Sequence, residues 1–114
     1  MERFRIVLLV DLQPQTRHER KVAREFREAL FKQGFSLLQE GVYTRAVDSR
    51  AQADSRLESL QRFRPECGIV RAFVMTERQF EASTLLVGEN PAQEAEIGSQ
   101  LDILGYRQKR VAGV

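Results

Sequence analysis

Apolar residues fall in short blocks along the chain, and the first block predicts a β-strand. Residues 4–12 form a nearly continuous apolar run rich in β-formers, without the alternation of a strand that has one wet face. The run therefore predicts a strand buried on both faces. It ends near Asp11, and residues 13–15, Gln-Pro-Gln, are typical of a turn. A carboxylate at the exit of a buried strand must be solvated, paired or bound to a cation.

Two later stretches have the apolar spacing of helices. Residues 16–19, Thr-Arg-His-Glu, have the form of a capping box, so a helix should follow and end at Gly34. Asp48 and Ser49 can cap a second helix, which Pro65 ends. The positions that should face the sheet are Val22, Phe26, Ala29 and Leu30 in the first helix, and Ala53, Leu57, Leu60 and Phe63 in the second.

The other apolar blocks predict further strands. Residues 35–47 are rich in β-formers, and Gly41 indicates a bulge, a bend or a break into two strands. Residues 67–75 predict a strand in which Arg71 faces solvent or a partner, because an unpaired cation is costly in a core. Residues 83–87 predict a short strand.

The remaining polar segments suggest how the chain is organised. Residues 76–79, Thr-Glu-Arg-Gln, predict a cap and about one helical turn. Residues 89–99 are typical of a linker, followed by an isolated apolar patch and a basic tail. The order of strands and helices predicts an α+β sandwich of the ferredoxin-like type. We expect residues 1–88 to form that domain and residues 89–114 to form the linker, a terminal strand and the tail.

Composition narrows the functional classes. With 114 residues, 42% hydrophobic and 30% charged, the chain fits one globular domain. No run is apolar enough to span a membrane and no secretory signal is evident, so a cytoplasmic protein is expected. The single cysteine, Cys67, excludes an internal disulfide and is expected to be a small half-buried residue. Phosphate-loop, dinucleotide-binding, zinc and nucleophile-elbow motifs are absent.

Two features remain as candidate chemistry. The net charge is only +2, but the cations are mostly arginine, and several fall on the first helix. They form either a solvated stripe or a phosphate-contacting one. Asp11 is either a carboxylate that caps a turn or a metal ligand. One carboxylate per chain is little for acid–base chemistry, but two chains related by a two-fold could bring two copies of Asp11 around a divalent cation.

Several local stretches of the sequence, and the order in which they occur, resemble the CRISPR-associated protein two family, and its type II branch in particular. The resemblance covers roughly residues 3–88. It is carried by Leu-Leu-Val-Asp-Leu at 8–12, Glu-Arg-Lys-Val-Ala-Arg-Glu-Phe-Arg at 19–27, the stretch 30–45, and the block 68–80. Two departures concern the turn: Val10 stands where many members have an aromatic residue, and Gln13 intervenes before Pro14.

The resemblance implies a homodimer that takes part in spacer acquisition, as the adaptor between two dimers of the CRISPR-associated protein one integrase. It also implies a possible Mg²⁺-dependent endonuclease acting on RNA or DNA, with Asp11 as the metal-binding and catalytic residue. The candidates for contact with the duplex DNA backbone, inferred from charge and position, are Arg17, Arg20, Arg24, Arg45 and Arg78, with Arg71 a weaker one. The residues expected in a terminal strand that pairs with the partner subunit are Leu101, Ile103 and Leu104.

Other functions on the same fold stay open at this point. A nuclease could be the main activity, including a toxin-like ribonuclease. A small-molecule-sensing regulatory domain is a further alternative, although such domains usually accompany a catalytic or DNA-binding module that 114 residues cannot hold.

Overall fold

The computed structural model describes residues 2–89 and confirms the predicted order of elements up to residue 81. The elements are strand β1 (Phe4–Asp11), helix α1 (Arg17–Lys32), strands β2 (Ser36–Gln39) and β3 (Val42–Val47), helix α2 (Arg50–Leu60), a 3₁₀ turn (Gln61–Phe63), strand β4 (Ile69–Thr76) and helix α3 (Glu77–Glu81). The predicted linker and the terminal strand with Leu101, Ile103 and Leu104 lie outside the described residues.

The sheet has the connectivity expected of a ferredoxin-like fold. Its strand order is β2-β3-β1-β4, and every neighbouring pair is antiparallel. Helices α1 and α2 each connect two strands that are separated by a third, so both cross over the sheet. No helix in residues 2–89 has the length and apolarity needed to cross a membrane.

The core lies between the two helices and one face of the sheet. Ile6 and Leu8 of β1 are almost fully buried there, in a cluster that includes Phe26 and Leu30 of α1 and Ala53 and Leu60 of α2. The alternate residues of β1 point to the other face, which we call the open face. By the strand register, this face carries Arg5, Val7, Leu9 and Asp11 of β1 and Ile69, Arg71, Phe73 and Met75 of β4.

The prediction that β1 is buried on both faces holds only in its middle. Val7 on the open face is 9% exposed, but Leu9, two residues further along that face, is 39% exposed. The helices cover one face only, so in residues 2–89 the end of the open face has no layer packed on it.

Local sequence signals set the starts of the helices and the end of α1 as predicted, whereas α2 ends at Leu60, before Pro65, and Phe63 lies exposed in the 3₁₀ turn. Thr16 and Glu19 form a reciprocal capping box at the start of α1, and Thr76 and Gln79 form another at α3. Ser49 caps α2. Helix α1 ends before Gly34, whose φ of +85° is a conformation that glycine adopts at little cost.

Two other expectations have different outcomes. Gly41 separates β2 from β3, and a bulge lies between Leu37 and Gln39, so both a break and a bulge occur. The strand predicted at 83–87 is wrong, because this segment has no strand structure and Leu86 is 88% exposed. A strand is defined by a hydrogen-bonded neighbour, and in residues 2–89 this apolar segment has none.

A charged clasp fastens α3 to the central strand. Arg5 Nε and Nη2 donate to the two carboxylate oxygens of Glu77 at 2.7 and 2.5 Å, and the guanidinium lies 4.3 Å from the centre of the Phe80 ring. Both charged side chains are about four-fifths buried. The hydrogen bonds from Arg5 hold the pKa of Glu77 below its usual range, although burial opposes the shift.

We predict that Glu77→Gln lowers the free energy of unfolding by roughly 1 to 2 kcal/mol at neutral pH, the range for a charge-assisted pair in a partly buried site. Because the pKa of Glu77 is lowered by folding, its stabilisation is complete above the unfolded pKa of about 4.3 and is lost as the pH falls through the folded pKa. The difference between wild type and variant should therefore shrink on acidification. Urea unfolding at a series of pH values measures it.

The matched control is Glu81→Gln, a change of the same kind at an exposed position of the same helix. Equal losses for the two variants, or a Glu77→Gln difference that does not depend on pH, would contradict the clasp.

Candidate functional site

Asp11 occupies the exit of the central strand, as predicted. It is the last residue of β1 and its side chain is exposed. Its Oδ1 accepts a hydrogen bond from Gln13 Nε2 at 3.4 Å, and no ion pair involves it within residues 2–89. The carboxylate is therefore solvated with one weak neutral partner, and it is available to a cation, a cationic side chain or water.

Two glycines hold the backbone at this strand end. The carbonyl of Gly41, in the turn between β2 and β3, accepts a hydrogen bond from Val10 N at 2.7 Å. On the other side, Gly68 precedes β4 with a φ of +84°, and a Cβ built on it would lie 2.5 Å from the carbonyl oxygen of Asp11. Such an approach is possible only without a side chain, so Gly68 allows β4 to close against the turn that presents Asp11.

Asp11 is the carboxylate that ends β1 and could bind a metal at this position. Within residues 2–89, no group of three or more His, Cys, Asp or Glu side chains is placed to hold an ion. Mg²⁺ commonly keeps several waters and is bound by one or two carboxylates together with substrate phosphates. Asp11 fits such a site as a single ligand, and further ligands would have to come from a second chain or from the nucleic acid.

Three of the predicted phosphate-contacting arginines share one side of α1. Arg17, Arg20 and Arg24 follow one another at spacings of three and four residues, and all three are exposed. Arg20 donates to the carbonyl of Gln15 at 3.4 Å, and Arg24 pairs with Glu28 at 3.5 Å. Cations in the first turns oppose the helix dipole, which favours negative charge there. The start of α1 therefore concentrates positive potential near the end of β1.

The other two predicted arginines lie elsewhere. The guanidinium of Arg45 donates to the carbonyl of Gln33 at the far end of α1, and burial, then the charge of Arg56, lowers its pKa. Arg78 lies on α3, beyond the end of β4 that pairs with Phe4. That end is about 23 Å from Asp11, at 3.3 Å per strand residue. The structure thus groups Arg17, Arg20 and Arg24 on the exposed side of α1, which packs on the sheet face opposite to the one that carries Asp11, and it places Arg45 and Arg78 apart from them.

An exposed apolar area surrounds Asp11 on the open face. Leu9, Ile69 and Phe73 are 39%, 64% and 47% exposed, and the exposed Arg71 lies among them. We call these five residues the open-face patch: Leu9, Asp11, Ile69, Arg71 and Phe73. The expectation that Arg71 points away from the core is confirmed.

Two residues that shape this site are not evident from sequence reasoning. Gln13 stands out in the sequence only as a departure in the turn, yet its side chain contacts Asp11. Gly68 falls in a predicted strand, and its contact with Asp11 depends on the pairing of Ile69 with Asp11, which the sequence does not display. A glycine at the start of a predicted strand is the one available signal.

This geometry defines a class of small ferredoxin-like proteins. Their β1 ends in a carboxylate and their first helix carries arginines. No family model matches the chain. Curated relatives do match it. The CRISPR-associated endoribonuclease Cas2 of Flavobacterium psychrophilum is 34% identical over 98 residues, which cover 86% of this chain and 85% of that protein.

Other relatives agree. The CRISPR-associated endoribonuclease Cas2 of Paracidovorax avenae is 37% identical over 79% of this chain and 85% of its own length. That of Campylobacter jejuni is 37% identical over 75% of this chain, although the match spans only 59% of the Campylobacter protein. The chain belongs to the CRISPR-associated endoribonuclease Cas2 family.

We predict that Gly68→Ala lowers the free energy of unfolding by about 1 to 3 kcal/mol, because the new Cβ meets backbone atoms that cannot move aside cheaply. The control is Gly88→Ala. Gly88 also has a positive φ, +122°, but its nearest neighbour is a flexible leucine side-chain atom at 3.7 Å. Urea unfolding of both variants separates the close approach from the cost of the dihedral angle. Equal losses would show that the approach to Asp11 contributes nothing.

Proposed function

We propose that this chain is a CRISPR spacer-acquisition subunit: a homodimeric adaptor that binds duplex DNA through its backbone and bridges dimers of the CRISPR-associated protein one integrase. Membership of the Cas2 family supports a CRISPR-associated role. The observation on which the DNA-binding part rests is the arginine-bearing side of α1. The site geometry favours an adaptor over an enzyme, because within residues 2–89 no group of three or more potential metal ligands forms around Asp11.

The arginine side of α1 suits a phosphate backbone. Guanidinium groups bind phosphate with paired hydrogen bonds, and contacts to phosphates position a protein without reading sequence. Arg17, Arg20 and Arg24 are exposed, and the dipole of α1 adds to their attraction for an anion. An adaptor that accepts spacers of any sequence needs this kind of binding.

The open-face patch supports the homodimer. Large exposed apolar side chains gathered on one sheet face are usually covered by a partner. Leu9, Ile69 and Phe73 would be buried if two copies packed by this face, as sheets do in a sandwich.

A second candidate function is a Mg²⁺-dependent endoribonuclease. It is favoured by the names of the relatives and by the exposed carboxylate of Asp11. When bound, a divalent ion supplies charge neutralisation at the phosphate and lowers the pKa of a water. In this function Asp11 would hold the ion, while Arg17 and Arg20 at the start of α1 would hold the nucleic-acid backbone.

We predict that the double variant Arg20→Gln, Arg24→Gln binds duplex DNA more weakly and with a shallower salt dependence. Each arginine that no longer neutralises a phosphate should reduce the slope of log K against log salt by about 0.9. Fluorescence anisotropy with a labelled duplex at several salt concentrations measures both quantities. Arg62→Gln together with Arg64→Gln, at exposed positions after α2, removes the same charge as a control. An equal effect of the control pair would indicate binding by net charge alone.

We predict that Asp11→Asn, assayed at a protein concentration at which the variant is dimeric, leaves spacer integration by the purified integrase intact within about threefold, because phosphate binding by arginine does not need this carboxylate. The same proteins are incubated with RNA and Mg²⁺ to measure cleavage, and sedimentation confirms their oligomeric state. Asp54→Asn, at an exposed position of α2, is the matched control. Loss of both integration and cleavage in a folded Asp11→Asn dimer would overturn the adaptor in favour of the enzyme.

A further inference from the structure

The open-face patch carries one charge of each sign in an apolar setting. Asp11 lies opposite Ile69 in the register of β1 and β4, and Leu9 lies opposite Arg71. Asp11 and Arg71 are therefore diagonal neighbours on the same face, where such positions are about 7 to 8 Å apart. They form no ion pair with each other, and in residues 2–89 neither has any other ionic partner.

This arrangement poses a physical problem if the patch is covered. Packing a second sheet against Leu9, Ile69 and Phe73 would remove water from the charges between them. An unpaired charge taken out of water is costly, so both groups need partners in the covered state. Within residues 2–89 of one chain, no such partner is supplied.

A two-fold axis solves the problem with the residues present. In an isologous interface, residue i of one subunit contacts residue j of the other, and j contacts i. A patch with one carboxylate and one guanidinium is complementary to a second copy of itself. Packed sheets lie about 10 Å apart, a gap that the long arginine side chain can cross to reach a carboxylate.

We propose that Arg71 of each subunit forms an ion pair with Asp11 of the other across a dimer built on the open-face patch. The proposal rests on the homodimer proposed above and names a residue that the partner contributes to the Asp11 site. Each dimer has two such pairs. Asp11 is then held by a cation of the partner subunit, and a metal ion has to compete with that cation for the carboxylate.

A charge swap tests the pair. Asp11→Arg and Arg71→Asp are each made alone, and the two changes are then combined in one chain. Each single change places like charges opposite one another, so we expect the dimer dissociation constant to rise by about 100-fold or more. The double variant restores opposite charges and should return to within about tenfold of wild type. Sedimentation equilibrium on the full chain measures the three variants and wild type.

A control variant and a double-mutant cycle complete the test of the ion pair. Asp54→Arg, on α2, applies the same charge change at an exposed site outside the patch and should leave the dimer unchanged. A double-mutant cycle of Asp11→Asn and Arg71→Gln keeps the test available if a reversed charge prevents folding, which circular dichroism reveals. Coupling in this cycle of at least about fivefold in the dissociation constant supports the pair.

The experiment distinguishes failure of the proposed dimer from failure of the proposed ion pair. A wild-type chain that stays monomeric removes the dimer and the pair together. A wild-type dimer whose affinity is unchanged by Arg71→Gln, or a swapped double variant as weak as the single variants, removes the pair and leaves the dimer. In the latter case, a loss of DNA binding in Arg71→Gln at unchanged dimer affinity would assign Arg71 to a phosphate.

Discussion

The backbone pairing of β1 is the interaction on which the rest of the structure depends. This strand is bonded along one edge to β3 and along the other to β4, so every other strand takes its position from it directly or through β3. The side chains of β1 point alternately to the two faces of the sheet. Ile6 and Leu8 anchor both helices, whereas Arg5 and Asp11 reach the open face at opposite ends of the strand.

The sequence predicts what depends on neighbours along the chain. The capping boxes at Thr16 and Thr76 are complete within four residues, and Gly34 ends α1 by its own backbone freedom. The strand predicted at 83–87 fails because apolar content alone does not supply a hydrogen-bonding neighbour. The full burial expected for β1 fails at Leu9 for a related reason, since the sequence does not say which face the helices cover.

For the candidate site, too, the sequence predicts the features that depend on nearby residues and misses those that depend on tertiary contacts. Asp11 is predictable because a carboxylate ending an apolar strand is visible in the sequence, and Arg17, Arg20 and Arg24 because helical spacing places them together. The clasp of Arg5 with Glu77 joins positions 72 residues apart, and the approach of Gly68 to Asp11 depends on strand register. Neither has a local signature. In the sequence Arg45 cannot be told from the other arginines, but in the folded chain its guanidinium donates a hydrogen bond to the carbonyl of Gln33.

The two outer strands of the sheet are unequal. β2 has only four residues and carries the irregularity between Leu37 and Gln39, so it is a poor template for another strand. β4 has eight regular residues, and in residues 2–89 its outer edge is unpaired. An additional strand could therefore pair more readily with the long, regular edge of β4 than with the short, irregular edge of β2. The fold thereby limits how many copies could join edge to edge, since a chain of such additions would need both sides.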